Sequence, residues 1–523
     1  MLFALLAFHA VAGLVVVAFA RRLGRAGLVL GAAPLVSVVV WLVLEGRDVL
    51  DGRPATDSFG WVPALGLTVD ARVDPFAVLM LVLVSGIGSL VFAYAWSYFG
   101  RSPKVAKVAG LLTLFAGAMF GVVIADNLLF LYVCWELTSV TSYLLIGIDD
   151  EKVEARAAAT HALVVTGMGG LFMLGGLVLL GQEAGTYRIS ELLAAPPSGT
   201  VTSAALVLLL VGAFTKSAQY PFHSWLPGAM VAPTPISAYL HSAAMVKLGV
   251  YLVARFAPAF ADVGIWRPLV VGVGLTTMIA GGLRALRPFD LKQLLAFGTI
   301  SQLGFQMVMF GIGIPKATVA ACALLLAHGL FKAALFMVVG IVDHQLHTRD
   351  VRQLPQLGAG WTPTKVVAVV SAASMAAVPP LAGFIAKETA YAALVDGTTG
   401  DRLVLAGIVT GSILTVAYSL RFVMALVRPA LAGDPLAAPA ERPEPVEPGK
   451  PPRPAFVAPA ILLATATVVF GVAPVAWDGL VNEAAHALDA DAHYHLALWH
   501  GFNTALVLSL LTLASGAAVF ALR

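Results

Sequence analysis

Charge is what this chain has least of. Only 12% of its 523 residues are Asp, Glu, Lys or Arg, against 59% hydrophobic, and the mean hydropathy is +0.90. A soluble fold of this length has several water-facing surfaces to cover, and so little charge does not cover them. The composition excludes a soluble globular protein and implies a polytopic membrane protein. Cysteine is almost absent too. Cys134 and Cys322 lie far apart in apolar stretches, so they form no CxxC motif and hold no iron–sulfur cluster between them. No GxGxxG follows a strand, and neither a Walker A sequence nor HExxH occurs. No cofactor is therefore expected. The net charge of +3 comes from basic residues scattered over short loops, which gives no nucleic-acid signal. The apolar N-terminus, residues 1–20, lacks a basic n-region and a small-residue cleavage site, and reads as a retained first span.

What is abundant is apolar sequence in runs. A bilayer core of about 30 Å needs about 20 apolar residues per helical crossing. Runs of that kind lie near 2–20, 27–45, 76–99, 109–125, 128–148, 158–181, 201–219, 236–256, 267–283, 291–313, 316–342, 364–394, 402–427, 454–473 and 497–521, fifteen in all. The expected fold is an all-α polytopic membrane protein. The seventh run is expected to break at Pro221 and the twelfth at Pro379-Pro380, because proline removes a donor and clashes with the preceding turn. Residues 45–75 read as an ordered loop or hairpin, and the proline-rich stretch 428–455 as a flexible linker.

With the N-terminus outside, nineteen Lys and Arg fall in inside loops and eight outside, and the 474–496 connection, rich in carboxylates, also falls outside. The positive-inside rule thus places the N-terminus out and the C-terminus in.

Five basic residues remain within spans: Lys216, Lys247, Lys332, Lys387 and Arg421. Ionisable side chains at membrane depth are costly and point to an ion or proton pathway. Lys216 and Lys247 flank Pro221, Pro227, Pro233 and Pro235, with His223 and His241 between them. Broken helix at that depth requires protein or a wet cavity to receive the freed backbone groups. Glu136 lies eight residues into its run, among Thr138, Ser139, Thr141 and Ser142. Alone it would be neutral; with a lysine partner, both would be charged and titrate together. His328 and Lys332, four residues apart, share one helix face, a spacing that suits a proton wire. Arg421 near a span end fits snorkelling as well as function. Lys292, at a helix entrance, is the weakest lysine candidate, and Glu388, beside Lys387, faces another way and reads as structural. His486, His493, His495 and His500 are spaced too irregularly for a metal site and fit an interfacial helix.

The stretches LLFLYVCWELTSVTSYLLIG, FTKSAQYPFHSWLPGAMVAPTPISAYLHSAAMVKLGVYL, RALRPFDLKQLLAFGTISQLGF, AHGLFKAALFMVVGIVDH and PPLAGFIAKE resemble the antiporter-like subunits shared by respiratory complex I and the multisubunit Na⁺/H⁺ antiporters called Mrp or Mnh. The resemblance covers roughly residues 70–425. GIDDEKVEARAAATHALVVTGMGGLFMLGG and HLALWHGFNTALVLSLLTLASG are similar to the N-terminal portion of the largest, A-type Mrp subunit. The resemblance implies two inverted five-helix repeats, each with one broken helix. They would occupy 109–256 and 267–427, flanked by the three helices and loop of 1–108, the linker 428–455 and two helices in 456–523. It assigns a membrane-embedded proton path to Glu136 with Lys216, His241 with Lys247, His328 with Lys332, and Lys387, to which His223, between the two lysines of the broken stretch, is added from the residues alone. It implies exchange of Na⁺ (or Li⁺ or K⁺) for H⁺ within a hetero-oligomer that also holds several small membrane subunits and a second antiporter-like one. A-type relatives usually continue past the equivalent of Arg523, so that region is expected to be absent, to be encoded separately or to lie beyond this sequence.

A proton-pumping subunit of a redox complex, of complex I or membrane-hydrogenase type, would carry the same lysines and is the alternative; a long lateral helix, expected of complex I, is not found. A bicarbonate-linked energy-coupling subunit would need a large soluble partner. A scaffold without transport would not need the full lysine set.

Overall fold

The computed structural model describes residues 1–62, 67–429 and 444–522. Among these residues twelve helices are long and apolar enough to cross a membrane. In chain order the helices are α1 (Leu2–Ala18), α2 (Ala26–Leu50), α3 (Pro75–Phe99), α4 (Val105–Ile124), α5 (Leu128–Ile146), α6 (Val153–Ala184), α7 (Thr200–Lys216), α8 (Thr234–Phe260), α9 (Trp266–Ala285), α10 (Leu291–Gly311) and α11 (Pro315–Leu346). After them come α12 (Thr362–Met375), α13 (Ala382–Leu394), α14 (Thr399–Val427), α15 (Pro454–Val472), α16 (Val475–His486) and α17 (Thr504–Leu522). α1 and α7 are apolar but shorter than the twelve. α4, α10 and α11 are enclosed almost entirely and form the centre, while α2, α6 and α17 leave apolar faces exposed.

The 45–75 stretch is a helix end followed by an antiparallel hairpin, β1 (Ala55–Val62) and β2 (Leu67–Val73), in register from Ala55 opposite Val73. Asp70 pins it, accepting from Ser58 at 2.6 Å and from Arg188 at 2.7 Å. Burial opposes ionisation of this carboxyl, but those donors and Thr68 prevail and hold it below the usual carboxylate range. Residues 430–443 of the linker lie outside the described residues, and 444–453 form no helix or strand.

Both expected breaks are present, and the first sits earlier than the proline suggests. α7 ends at Lys216, and residues 217–233 pass through turns and short helical pieces. Ala218, at φ 49°, and Ala377, at φ 61°, turn the chain just past the ends of α7 and α12. The freed groups find side chains, as membrane depth demands. Ser217 donates to Val246 O at 2.6 Å, Trp225 Nε1 to Thr215 O at 2.9 Å, and Thr277 Oγ1 accepts from Tyr220 N at 2.9 Å. The second break separates α12 from α13 across residues 376–381.

Two irregularities carry no proline. α8 is interrupted around Ala243–Lys247, where a 3₁₀ turn (Met245–Lys247) replaces α-helix. In α3 a π-helical turn spans Val82–Ile87, and Tyr239 donates to Val84 O at 2.9 Å. Arg255 lies in the last turns of α8. It donates to Asp74, with Nη2 to Oδ1 at 2.8 Å, and Asp74 also caps α3 by accepting from Ala77 N at 2.8 Å. Neither side chain of this pair is more than 15% exposed. Removing one partner of a buried pair strands the other charge, at a cost of about 3–5 kcal/mol. Asp74→Ala is therefore expected to lower the thermal midpoint of the detergent-solubilised protein clearly, and Asp74→Ala with Arg255→Met to recover part of that loss.

Candidate functional site: a buried row of lysines

The first part of the row lies between α5, α6 and α7. Asn127 starts α5 by accepting from Leu129 N at 2.9 Å and Phe130 N at 3.2 Å, which fixes the phase at which Glu136 leaves the helix. Glu136 points at Gly170 of α6, where a Cβ would come within 1.9 Å of its Oε1. That oxygen is buried with no hydrogen-bond partner. At Gly169 a Cβ would meet Thr215 of α7 at 1.8 Å, so the paired glycines admit groups from both neighbouring helices.

Lys216, fully buried at the end of α7, donates to Ser139 Oγ at 2.7 Å and Trp135 O at 3.3 Å, with its ammonium 5.4 Å from the Trp135 ring. Glu136 and Lys216 are thus brought to facing helices and feel each other's charge, but no contact salt bridge joins them among the described residues. Ser139, one turn further along α5, takes the ammonium instead.

Lys247, at the interruption of α8, reaches across to α11 and donates to Leu325 O at 2.7 Å. Its Nζ lies so close to Gly329 that a Cβ there would be 3.1 Å away. His328 stands on the same turn of α11. Its ring approaches the Ser242 backbone without a well-formed hydrogen bond, and both Lys247 and Lys332 act on it electrostatically. Lys332, four residues on, donates to Leu295 O of α10 at 3.2 Å beside Gly298, with the Tyr418 ring 6.0 Å away. The shared face of His328 and Lys332 is present as expected.

His241 is fully buried with both nitrogens unpartnered, its ring between Trp225 (6.3 Å) and Phe336 (6.4 Å). His223 is half-buried and stacks on Tyr220 at 5.1 Å, in a small recess shared with Thr277 and Arg284. It is not drawn to the lysines. Lys387 on α13 is buried and its ammonium has no hydrogen-bond partner. Arg421 donates to Leu286 O and lies 5.5 Å from the Phe289 ring.

Lys292 needs correction. The helix-entrance position suggests a surface amine, yet the residue is fully buried and donates to Met230 O at 3.0 Å and to Ala232 O. Asp290 caps α10, accepting from Lys292 N at 2.7 Å, and this turns the lysine inward onto the broken segment. Glu388 is buried too, and its surroundings are polar. The signal for further buried polarity was the run GTISQLGFQ in α10: Ser301, Gln302 and Gln306 are all buried, and Gln302 donates to Thr415 at 3.2 Å.

Comparison with known proteins locates this arrangement. The family model described as NADH:quinone oxidoreductase/Mrp antiporter, TM, matches residues 125–415, more than half of the chain. The chain belongs to that family. The NADH:quinone oxidoreductase/Mrp antiporter match contains every row residue from Glu136 to Lys387, and a second model, described as the N-terminus of complex I chain 5, matches 61–107. A probable A/B subunit of a K⁺/H⁺ antiporter from Rhizobium meliloti is 40% identical over 93% of this chain, and the A1 subunit of a Na⁺/H⁺ antiporter from Staphylococcus aureus 37% identical over 92%. The chain spans 49% and 62% of those relatives' own lengths. A chain in the structure of the Mrp complex from Dietzia sp. DQ12-45-1b superposes with a TM-score of 0.89 at 37% identity, covering 100% of this chain and 56% of that one. A chain of the membrane-bound sulfane sulfur reductase, an archaeal respiratory membrane complex, shares the fold with a TM-score of 0.79 at 22% identity, over 94% of this chain and 97% of that one.

Gly170 gives a direct check on the antiporter-family geometry. A methyl group at 170 overlaps the Glu136 carboxylate, and overpacking of that kind costs about 1–3 kcal/mol. Gly170→Ala is expected to lower the thermal midpoint, and adding Glu136→Ala to restore much of it. Simple additivity of the two effects would mean that Glu136 points elsewhere.

Proposed function

We propose that this chain is a subunit of a hetero-oligomeric cation/proton antiporter that exchanges Na⁺, Li⁺ or K⁺ for H⁺ across a prokaryotic plasma membrane, using the proton motive force. It is read as a secondary transporter subunit without a cofactor. One observation carries the proton path. Lys216, Lys247, Lys332 and Lys292 each donate to a backbone carbonyl, not to a carboxylate. A carbonyl accepts from a neutral amine as well as, more strongly, from an ammonium, so each lysine keeps a hydrogen bond whether or not it holds the extra proton. A contact carboxylate would bias it toward the charged form. His241, with both nitrogens free of partners, and His328, with no well-formed hydrogen bond, suit the role of carriers between those amines.

The row runs from Glu136 and Lys216 through Lys247, His328 and Lys332 to Lys387. His241, Lys292 and the more remote His223 flank it. The twelve long helices, the shorter α1 and α7, and α12 with α13 taken as one interrupted crossing support fifteen spans. We read α4–α8 and α9–α14 as the two inverted repeats, since α7 and the α12/α13 pair break at the same ordinal place in each. The hairpin end of the bundle is taken as outside, with the N-terminus out and the C-terminus in. The relatives named as cation/proton antiporters, at 37–40% identity, favour this reading over a redox-driven pump, for which the support is a shared fold at 22%.

Partners are proposed to be several small membrane subunits and a second antiporter-like one, packed against the apolar faces that α2 and α17 leave exposed. Within the assembled complex, Glu136→Ala or Lys216→Ala is expected to abolish cation-dependent proton flux in vesicles. Lys332→Ala should slow turnover strongly. Lys332→Arg should assemble and fail, because a guanidinium does not release its proton. Undiminished exchange in assembled Lys216→Ala and Lys332→Ala would overturn the proton path. Separately, this polypeptide alone in liposomes under an imposed pH gradient is expected to give no cation-dependent proton movement; robust movement blocked by Lys216→Ala would show that one chain suffices.

A further inference from the structure

At the hairpin end of the bundle, the connection between α16 and α17 folds over α13 and places His500 against Glu388. His500 Nδ1 lies 3.4 Å from Glu388 Oε2, and His500 Nε2 lies 3.1 Å from His495 O. Asn503 Nδ2 donates to the other carboxylate oxygen at 3.3 Å. A carbonyl only accepts, so Nε2 carries a hydrogen in every state. That leaves Nδ1 3.4 Å from a carboxylate oxygen that has no hydrogen-bond partner, a contact at which one proton can lie on either group. Either the imidazole is doubly protonated beside a carboxylate, or it is neutral beside a carboxylic acid. The carboxylate is 5% exposed and the imidazole 22%, so one end of this one-proton pair faces the protein interior and the other faces water.

We propose that Glu388 and His500 form a proton relay at the hairpin-end mouth of the second half of the bundle, passing a proton between external water and the buried interior around α13. In the outward step the Glu388 carboxylic acid gives its proton to His500 Nδ1, leaving a carboxylate–imidazolium pair. Nε2 keeps its hydrogen on His495 O, so the imidazolium then releases its Nδ1 proton to water that reaches the pair, and the carboxylate is reprotonated from the interior. The inward step is the reverse.

The surroundings suit exchange. Lys316 of α11 acts on Glu388 electrostatically, with Asp396 at the end of α13 as its second acidic neighbour, and its ammonium rests 4.1 Å from the Tyr494 ring. Tyr494 lies 5.1 Å from the His500 ring, and its hydroxyl is pushed up to about 12 by burial and then by the Glu388 charge, so it stays a neutral wall. Lys387 is the next residue on α13 itself. α15 and α17 bring no titratable side chain, the one lysine of α12 donates to Leu357 O, and Asp401 of α14 is tied to Arg267 and Thr398. Outward of the pair, Asp478 and His495 meet at 3.2 Å, with His495 75% exposed.

This inference rests on the proton-path reading, and its test separates the two. In the complete complex reconstituted in vesicles, His500→Gln and Glu388→Gln are each expected to slow exchange about tenfold or more, and the double variant to be no slower than the worse single one, as for groups acting as a unit. His493→Gln, on the same surface, should have no effect. In His500→Ala, imidazole added on the hairpin side should restore turnover, which a merely structural role for His500 would not allow. Unchanged rates in His500→Gln, multiplicative losses in the double variant, or no imidazole rescue in an assembled His500→Ala would each overturn the relay while leaving the lysine row standing. Only the Lys216 and Lys332 variants bear on that row.

Discussion

Everything in this fold follows from the cost of keeping amines inside a membrane bundle. Moving an ammonium from water into a low-dielectric interior costs several kcal/mol even after relaxation, and an unpartnered polar group there also forfeits its hydrogen bonds. The bundle meets this demand with backbone. Helix interiors ordinarily consume their own carbonyls, so the acceptors have to be freed or approached closely. Lys292 uses Met230 and Ala232, in the segment left irregular after α7. Lys247 and Lys332 reach carbonyls of intact helices only because Gly329 and Gly298 leave room beside them. Breaks and glycines thus supply the acceptors of Lys247, Lys292 and Lys332, while Lys216 takes the Ser139 hydroxyl and Lys387 has no hydrogen-bond partner.

The same demand explains what was legible in the sequence. Lysines inside apolar runs, proline pairs and an i, i+4 His–Lys spacing all leave marks in the linear chain, and the structure places Lys216, Lys247, Lys332 and Lys387 in the interior accordingly. The interruption of α8 was not legible, because SAAMVK contains no proline or glycine and the break depends on tertiary contact, with Ser217 holding Val246 O. The π-turn in α3 is of the same kind, its carbonyl taken by Tyr239 from a distant helix. Lys292 was misjudged because position along a helix was taken as a measure of depth, whereas the Asp290 cap turns its side chain inward. The partner of Lys216 was judged by charge. Helix phase decided it, delivering Ser139 to the ammonium and aiming Glu136 at the glycines of α6.

Carbonyl-bound amines have a consequence for coupling. A lysine locked to a carboxylate is screened from its neighbours by its own counter-charge. The lysines of this row lack contact carboxylates among the described residues, and Glu136, the acidic group nearest Lys216, is set back against α6. Two like charges about 10 Å apart at an effective dielectric of about 20 repel by about 1.7 kcal/mol, more than a tenfold change in protonation. On the proposed proton path, a proton arriving at Lys247 would be felt at His328 and Lys332 without any moving contact. A row proposed to carry protons would then need neither continuous touching side chains nor a large conformational change to transmit occupancy. It needs amines held at fixed spacing, dry enough for their charges to act on one another, and that is what a central pair of fully enclosed helices, α10 and α11, provides.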